Sequence, residues 1–201
     1  MRTVNRRWSE DRTFSPGELL NNLLFGCLVS PPSLMVRKSA AYRNGPFRTD
    51  LTWGHDWEWA LRLAERNSCF YASHPLAAYR IHDASGTAEV LNAAQNGFQE
   101  RIILRETLAR LTEADPRFKA LRRPVFRALG LRHMYFAEQA LLGRRRGATR
   151  NNLWYAALAD AGMLARPTFW ALLSGSLGSV RLYELYRLLR GPESAPQPTY
   201  Q

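Results

Sequence analysis

The sequence predicts an α/β region over residues 1–87, with a few short strands, followed by an α-helical region over residues 88–190. Three observations carry this reading. Between Cys27 and Ile81 the apolar residues come in short runs cut by prolines and glycines, as strands and turns do. From Ala88 onward they recur at helical spacing over stretches of several turns. The charge divides at nearly the same place. Residues 1–100 hold eleven Lys and Arg against ten Asp and Glu, and residues 101–201 hold seventeen against seven. Residues 191–201, rich in proline and polar side chains, read as a disordered tail.

Composition narrows the class. Hydrophobic residues make up 46% and charged residues 22%, which supports a packed core and argues against disorder. Only the second half is basic enough to seek anionic partners. Lys38 and Lys119 are the only lysines among the twenty-eight basic residues. Arginine forms bidentate contacts with phosphate that lysine cannot, although a GC-rich coding sequence produces the same excess. Cys27 and Cys69 stand alone, with no metal-ligand spacing and too few for a disulfide scaffold, so a reducing compartment is expected. Met1–Asp11 is polar and charged, unlike a signal peptide, and no apolar run reaches the ~18 residues of a membrane span. The basic charge comes with no helix-turn-helix, RNA-binding or zinc motif, so nucleic acid is not an expected partner.

Taken in order, Met1–Thr13 reads as an irregular lead-in. Ser15-Pro16-Gly17-Glu18 has the pattern of a capping box, which predicts a helix through Leu19, Leu20, Leu23 and Leu24 to near Gly26. Cys27–Ser30 and Ser33–Arg37 read as two extended pieces broken by Pro31-Pro32. Ser39–Asn44 is one helical turn, and Asn44-Gly45-Pro46 is a turn. Trp53–Asn67 is an amphipathic helix capped by Thr52 or Asp56, with Trp57, Ala60, Leu61, Leu63 and Ala64 on its apolar side. Cys69–Ala72 and Leu76–Ile81 read as strands, and Asp83–Gly86 as a loop. Helical spacing then covers Ala88–Leu111, Pro116–Leu129, Leu131–Leu142, Asn151–Ala165 and Pro167–Leu189. His74 and His133 show no partner spacing and read as structural.

Four short motifs stand in order between Gly26 and Thr87. They are Ser33-Leu-Met-Val-Arg-Lys38, Asn44-Gly-Pro-Phe47, Gly54-His-Asp-Trp-Glu-Trp-Ala-Leu-Arg-Leu-Ala64 and Pro75-Leu-Ala-Ala-Tyr-Arg-Ile-His-Asp-Ala-Ser85. Each is weak alone, but their order and spacing resemble the C-terminal half of the catalytic domain of family 2 glycosyltransferases, the nucleotide-sugar enzymes of the GT-A fold. The resemblance implies a partial GT-A domain over residues 1–87. It also implies transfer of a sugar from a nucleotide-sugar to an acceptor hydroxyl, with inversion, in cell-surface polysaccharide synthesis.

The same resemblance implies roles for individual residues. Asp56 matches the general base, which takes the proton of the attacking hydroxyl. A helix start offers such a carboxylate backbone N–H groups and a positive dipole. His82 matches a histidine that reaches the divalent metal or the donor diphosphate, and Arg80 lies near the same phosphates. Gly45 supplies a turn where the substrates approach, and His55 stands beside the base in the substrate site. The tryptophans Trp53, Trp57 and Trp59 either stack on an acceptor sugar or anchor the core.

The pattern also departs from the family. His55-Asp56 stands where the family has an acidic pair. None of the six aspartates, Asp11, Asp50, Asp56, Asp83, Asp115 and Asp160, forms an Asp-x-Asp metal motif. The Mg²⁺ or Mn²⁺ of a complete enzyme and its nucleotide-binding half are therefore expected to come from elsewhere. The chain is expected to be weakly active or inactive alone. Its expected partners are a nucleotide-sugar donor and a saccharide or lipid-linked acceptor.

A different class of function remains open. The basic second half, with Arg144-Arg145-Arg146 and the aromatic and leucine-rich stretch to Arg190, also reads as a non-catalytic module that binds an anionic membrane surface or a partner protein. Either reading places the chain in the cytoplasm, the second at the inner face of the membrane.

Overall fold

The computed structural model describes residues 8–78, 94 and 96–190, which divide into two compact units with the boundary after Ile81. The first unit is built from β1 (Arg12–Phe14), α1 (Leu20–Leu23), a 3-10 turn at Pro31–Ser33, α2 (Lys38–Asn44), α3 (His55–Arg66) and β2 (Cys69–Tyr71). β1 and β2 pair antiparallel, with Arg12 opposite Tyr71, Thr13 opposite Phe70 and Phe14 opposite Cys69. Trp8 packs edge-on against Phe14 and Tyr71, with ring centroids 4.8 and 5.0 Å away. Asp11 closes the end of the ribbon by accepting from the backbone and hydroxyl of Ser73.

The expected α/β architecture, a partial GT-A domain, is not what this unit adopts. Its only sheet among the described residues is that two-stranded antiparallel ribbon, and the rest is helix and irregular chain. The two extended pieces at 27–30 and 33–37 form no ladder. Pro31 and Pro32 remove two consecutive donors, and the chain there takes a 3-10 turn with the Ser33 amide bonded to the Ser30 carbonyl. A strand without a hydrogen-bonded neighbour has no reason to persist, and the stretch runs as irregular chain with Val29 and Val36 partly buried and Met35 in solvent. Leu76–Ala78 is not a strand either, and the remainder of that expected strand lies outside the described residues.

Two helix expectations also shift. The capping box makes its backbone half, with the Ser15 amide donating to Glu18 at 3.1 Å. The helix does not follow, because Gly17 adopts φ +79 and donates its amide to the Ala64 carbonyl at the end of α3. A left-handed residue ends any α-helical run, so only Leu20–Leu23 is helical. In α3 neither Thr52 nor Asp56 is the N-cap. Gly54 holds that position at φ +72, and Asp56 sits in the first turn. The core of the unit gathers around α3, where Trp57 and Leu61 are fully buried, as are Leu20, Leu23, Leu24 and Phe14. The Trp57 indole donates to the Leu23 carbonyl at 2.8 Å, which ties α1 to α3.

The second unit is helical throughout its described length. It comprises α4 (Gly97–Ala114), a 3-10 turn at Pro116–Leu121, α5 (Arg122–Leu142), α6 (Arg146–Ala159), a 3-10 turn at Ala161–Ala165, α7 (Pro167–Leu177) and α8 (Val180–Arg190). Asp115 and Asp160 start the two 3-10 turns by accepting from the amides of Arg117 and Gly162. Pro167 opens α7 at its first turn, where its missing N–H has no partner to lose.

The expected break at Gly130 does not occur, and α5 runs straight through it. A Cβ at Gly130 would lie 3.1 Å from Met163 Cγ and 3.2 Å from the Ala156 carbonyl oxygen. The glycine serves close packing of α5 on α6, not chain reversal. Leu141, Leu153, Ala156, Met163, Phe169, Leu172 and Tyr183 form the buried centre of the unit.

Candidate functional site

The loop ahead of α3 folds back on that helix and makes a cleft on the first unit. The turn Asn44-Gly45-Pro46 is held at three points. Asn44 donates its side-chain amide to the Trp59 carbonyl at 3.0 Å, and the Trp59 indole donates to the Gly45 carbonyl at 2.8 Å. Arg62 donates to the carbonyls of Asn44 and Pro46 and is fixed by the buried Glu58 one turn earlier on α3. Gly45 has φ +77 and ψ −179, a region open to glycine and almost no other residue.

This docking sets Phe47 against Trp59 at a centroid distance of 5.1 Å and edge-on to His55 at 5.9 Å. The resulting cleft has a volume of about 240 Å³ and is lined by Val29, Pro31, Leu34, Val36, Phe47, Trp59 and Asp56. Six of these side chains are apolar or aromatic, and Asp56 supplies the one carboxylate. One of its oxygens accepts from the Trp57 amide at 2.8 Å. The cleft is smaller than the ~300–1,000 Å³ of typical sites for drug-sized ligands, so it suits a group the size of a single ring.

The structure therefore brings Asp56, His55 and Gly45 into one neighbourhood. Trp53 is half-buried just ahead of α3 and does not line the cleft. Trp57 is a core anchor, and Trp59 is the tryptophan that serves the cleft wall. Arg80 and His82 lie outside the described residues. Among the described residues no group of three or more His, Cys, Asp or Glu is placed to hold a metal ion. The donor set at the cleft does not fit a divalent-cation centre, since apolar side chains make up the rest of its lining.

Sequence reasoning did not pick out the opposite wall, because it assigned Val29, Leu34 and Val36 to extended pieces and Pro31 to the break between them. It gave Arg62 no role beyond its place in the Gly54–Ala64 motif, although Glu58 and Arg62 stand at the i,i+4 spacing of a helix ion pair. Gly45→Ala is expected to cost the first unit about 1–3 kcal/mol, because alanine is strained in that backbone region. A denaturant titration followed by the indole N–H resonance of Trp59 reads this directly.

The second unit holds a sealed polar cluster. Glu100 accepts from Arg132 at 2.6 Å and from the Asn96 side chain at 3.2 Å. His133 Nε2 lies 3.4 Å from the same carboxylate, and its Nδ1 is 3.0 Å from the Asn152 carbonyl oxygen. Asn152 donates its own amide to the Ala148 carbonyl, so its oxygen is the acceptor and His133 Nδ1 is the donor. All of these side chains are buried. Burial alone would raise the Glu100 carboxyl, but the charge of Arg132 and the neighbouring His133 outweigh it and hold the group well below the usual carboxylate range. The cluster offers no access to a substrate, and its role is to join α4, α5 and α6.

No family model, curated protein or solved structure matches this chain.

Proposed function

We propose that the cleft of the first unit takes a sugar ring of a saccharide acceptor, and that Asp56 is the base in transfer of a sugar from a nucleotide-sugar to that acceptor. The observation that carries the proposal is the placement of a lone carboxylate on the wall of an aromatic cleft of single-ring size. Phe47, half-exposed on the cleft wall and backed by the buried Trp59 at 5.1 Å, suits the apolar face of a pyranose. Asp56 stands where it can accept the proton of a hydroxyl on that ring.

The oxygen of that hydroxyl attacks the anomeric carbon as its proton passes to the Asp56 carboxylate. The bond from the anomeric carbon to the phosphate oxygen breaks, and the nucleoside diphosphate leaves from the opposite face, which inverts the centre. Groups that hold the nucleotide are not among those at the cleft, so donor binding belongs to residues other than these. The motif order over Gly26–Thr87 supports the same chemistry.

The test has two parts. Titration of the chain with a panel of neutral oligosaccharides should perturb the Trp59 and Phe47 resonances, and Asp56→Asn should bind equally well. In a longer or complemented form that turns over a nucleotide-sugar, Asp56→Asn should lower kcat by about 10²–10⁴-fold. Undiminished turnover in that variant removes Asp56 from the base role, and a panel that leaves the cleft resonances unmoved removes the acceptor site.

A further inference from the structure

We propose that the second unit docks on an anionic lipid surface through the outer face of α8 and the arginine turn beside it. α8 has two apolar sides. Tyr183 is buried in the core of the unit and Tyr186 packs beside it. The other side carries Leu182, Leu185, Leu188 and Leu189, which are 61%, 53%, 80% and 80% exposed. At 100° per residue these four leucines span about a third of the helix circumference, away from Tyr183. Exposure of single leucines is ordinary, but a contiguous stripe of four on one short helix is not.

The charge around the stripe selects the partner. Arg181 is exposed at the same face. The turn between α5 and α6 carries Arg144, Arg145 and Arg146, all exposed, and Arg146 donates to the Gly178 carbonyl at 2.9 Å. That bond pins the arginine turn to the chain just ahead of α8. This contact sets the arginine turn beside the chain that leads into α8, although thirty-two residues separate Arg146 from Gly178. A bilayer of anionic lipid meets both features at once, because the leucines enter the acyl boundary while guanidinium groups pair with phosphates. Glu184 is the single carboxylate on α8, so a second copy of the chain would bring a net excess of like charge to the same stripe. No described helix is long and apolar enough to cross a membrane, so the contact is with the surface.

The experiment is co-sedimentation of the full chain with vesicles of phosphatidylcholine containing about one third phosphatidylglycerol, over a range of salt. Binding is expected to be absent with phosphatidylcholine alone and to weaken at least tenfold as salt rises. Leu185→Gln with Leu189→Gln should weaken it at least tenfold, and so should Arg144→Gln with Arg145→Gln, which leaves Arg146 on Gly178. These side chains are on the surface, and an unchanged melting temperature verifies that each variant is folded. Full binding by both variants overturns the proposal. So does a chain that ignores vesicles and instead forms dimers that the leucine variant dissociates.

Discussion

Arg132→Met is expected to destabilise the second unit by about 3–5 kcal/mol, because it leaves the Glu100 carboxylate buried with its main counter-charge gone. For a unit of about a hundred residues, each kcal/mol moves the melting temperature by roughly 4–8 °C, so a fall of more than 10 °C should appear in a thermal scan. The double variant Glu100→Leu with Arg132→Met should recover much of the loss, since an apolar pair of similar volume removes the desolvation cost of both charges. A double variant as unstable as the single one would show that packing of the arginine stem, and not the ion pair, dominates. The same carboxylate sets a pH dependence. Its folded-state range lies well below its ordinary value of 4.5, so its contribution is complete above that value and is lost as the pH falls below it. Acid unfolding of the second unit should therefore begin below about pH 4.5 and should be blunted in the double variant.

Trp57→Ala is expected to unfold the first unit. Truncation of a buried tryptophan costs about 3–5 kcal/mol, and this one also loses the indole bond to the Leu23 carbonyl. A unit of this size has little stability to spare, because small domains bury a smaller fraction of their surface. Hydrogen exchange would show the effect as lost protection in α3, with the α5 and α6 amides unchanged. Trp57→Phe keeps most of the apolar volume and should retain the fold at a cost of a few kcal/mol. Retained protection in α3 of the alanine variant would mean that Phe14, Leu23 and Leu61 hold the helix without it. Because Asp56 and Trp59 flank Trp57 on α3, loss of this anchor should also abolish saccharide perturbation of the cleft.

The local parts of the fold were legible because their causes are local. The heptad-like spacing of Trp57, Leu61 and Ala64 gave α3 its apolar side, and that side is the buried one. Asp115-Pro116 and Arg166-Pro167 mark real boundaries, because proline cannot continue a helix and the residue before it leaves the helical region. Asp56 was legible as a carboxylate in the first turn of α3. The walls around it were not, because the path of residues 29–36 depends on α3 and Phe47 being present to pack against.

Glycine marks where local reading fails. Gly17 and Gly130 look alike in sequence, yet one adopts a left-handed conformation and the other lies inside α5. What separates them is a partner far along the chain, the Ala64 carbonyl for Gly17 and the Met163 side chain for Gly130. The break after Leu177 is similar, because Gly178 leaves the helical region where Arg146 takes its carbonyl. β1 was unreadable for the same reason, since three residues pair only because Cys69–Tyr71 lies beside them.

Residue pattern alone was thus enough for the helical second half, the amphipathic helix that carries Asp56 and the concentration of basic charge after residue 100. The absence of an α/β sheet among the described residues, the cleft, the buried Glu100–Arg132 pair and the bond from the arginine turn to Gly178 came from contacts between distant segments. Apolar spacing and capping act over one or two turns and are written in consecutive residues. Strand pairing, glycine clearance and charge burial depend on which segment arrives opposite, and that is decided only when the chain closes on itself.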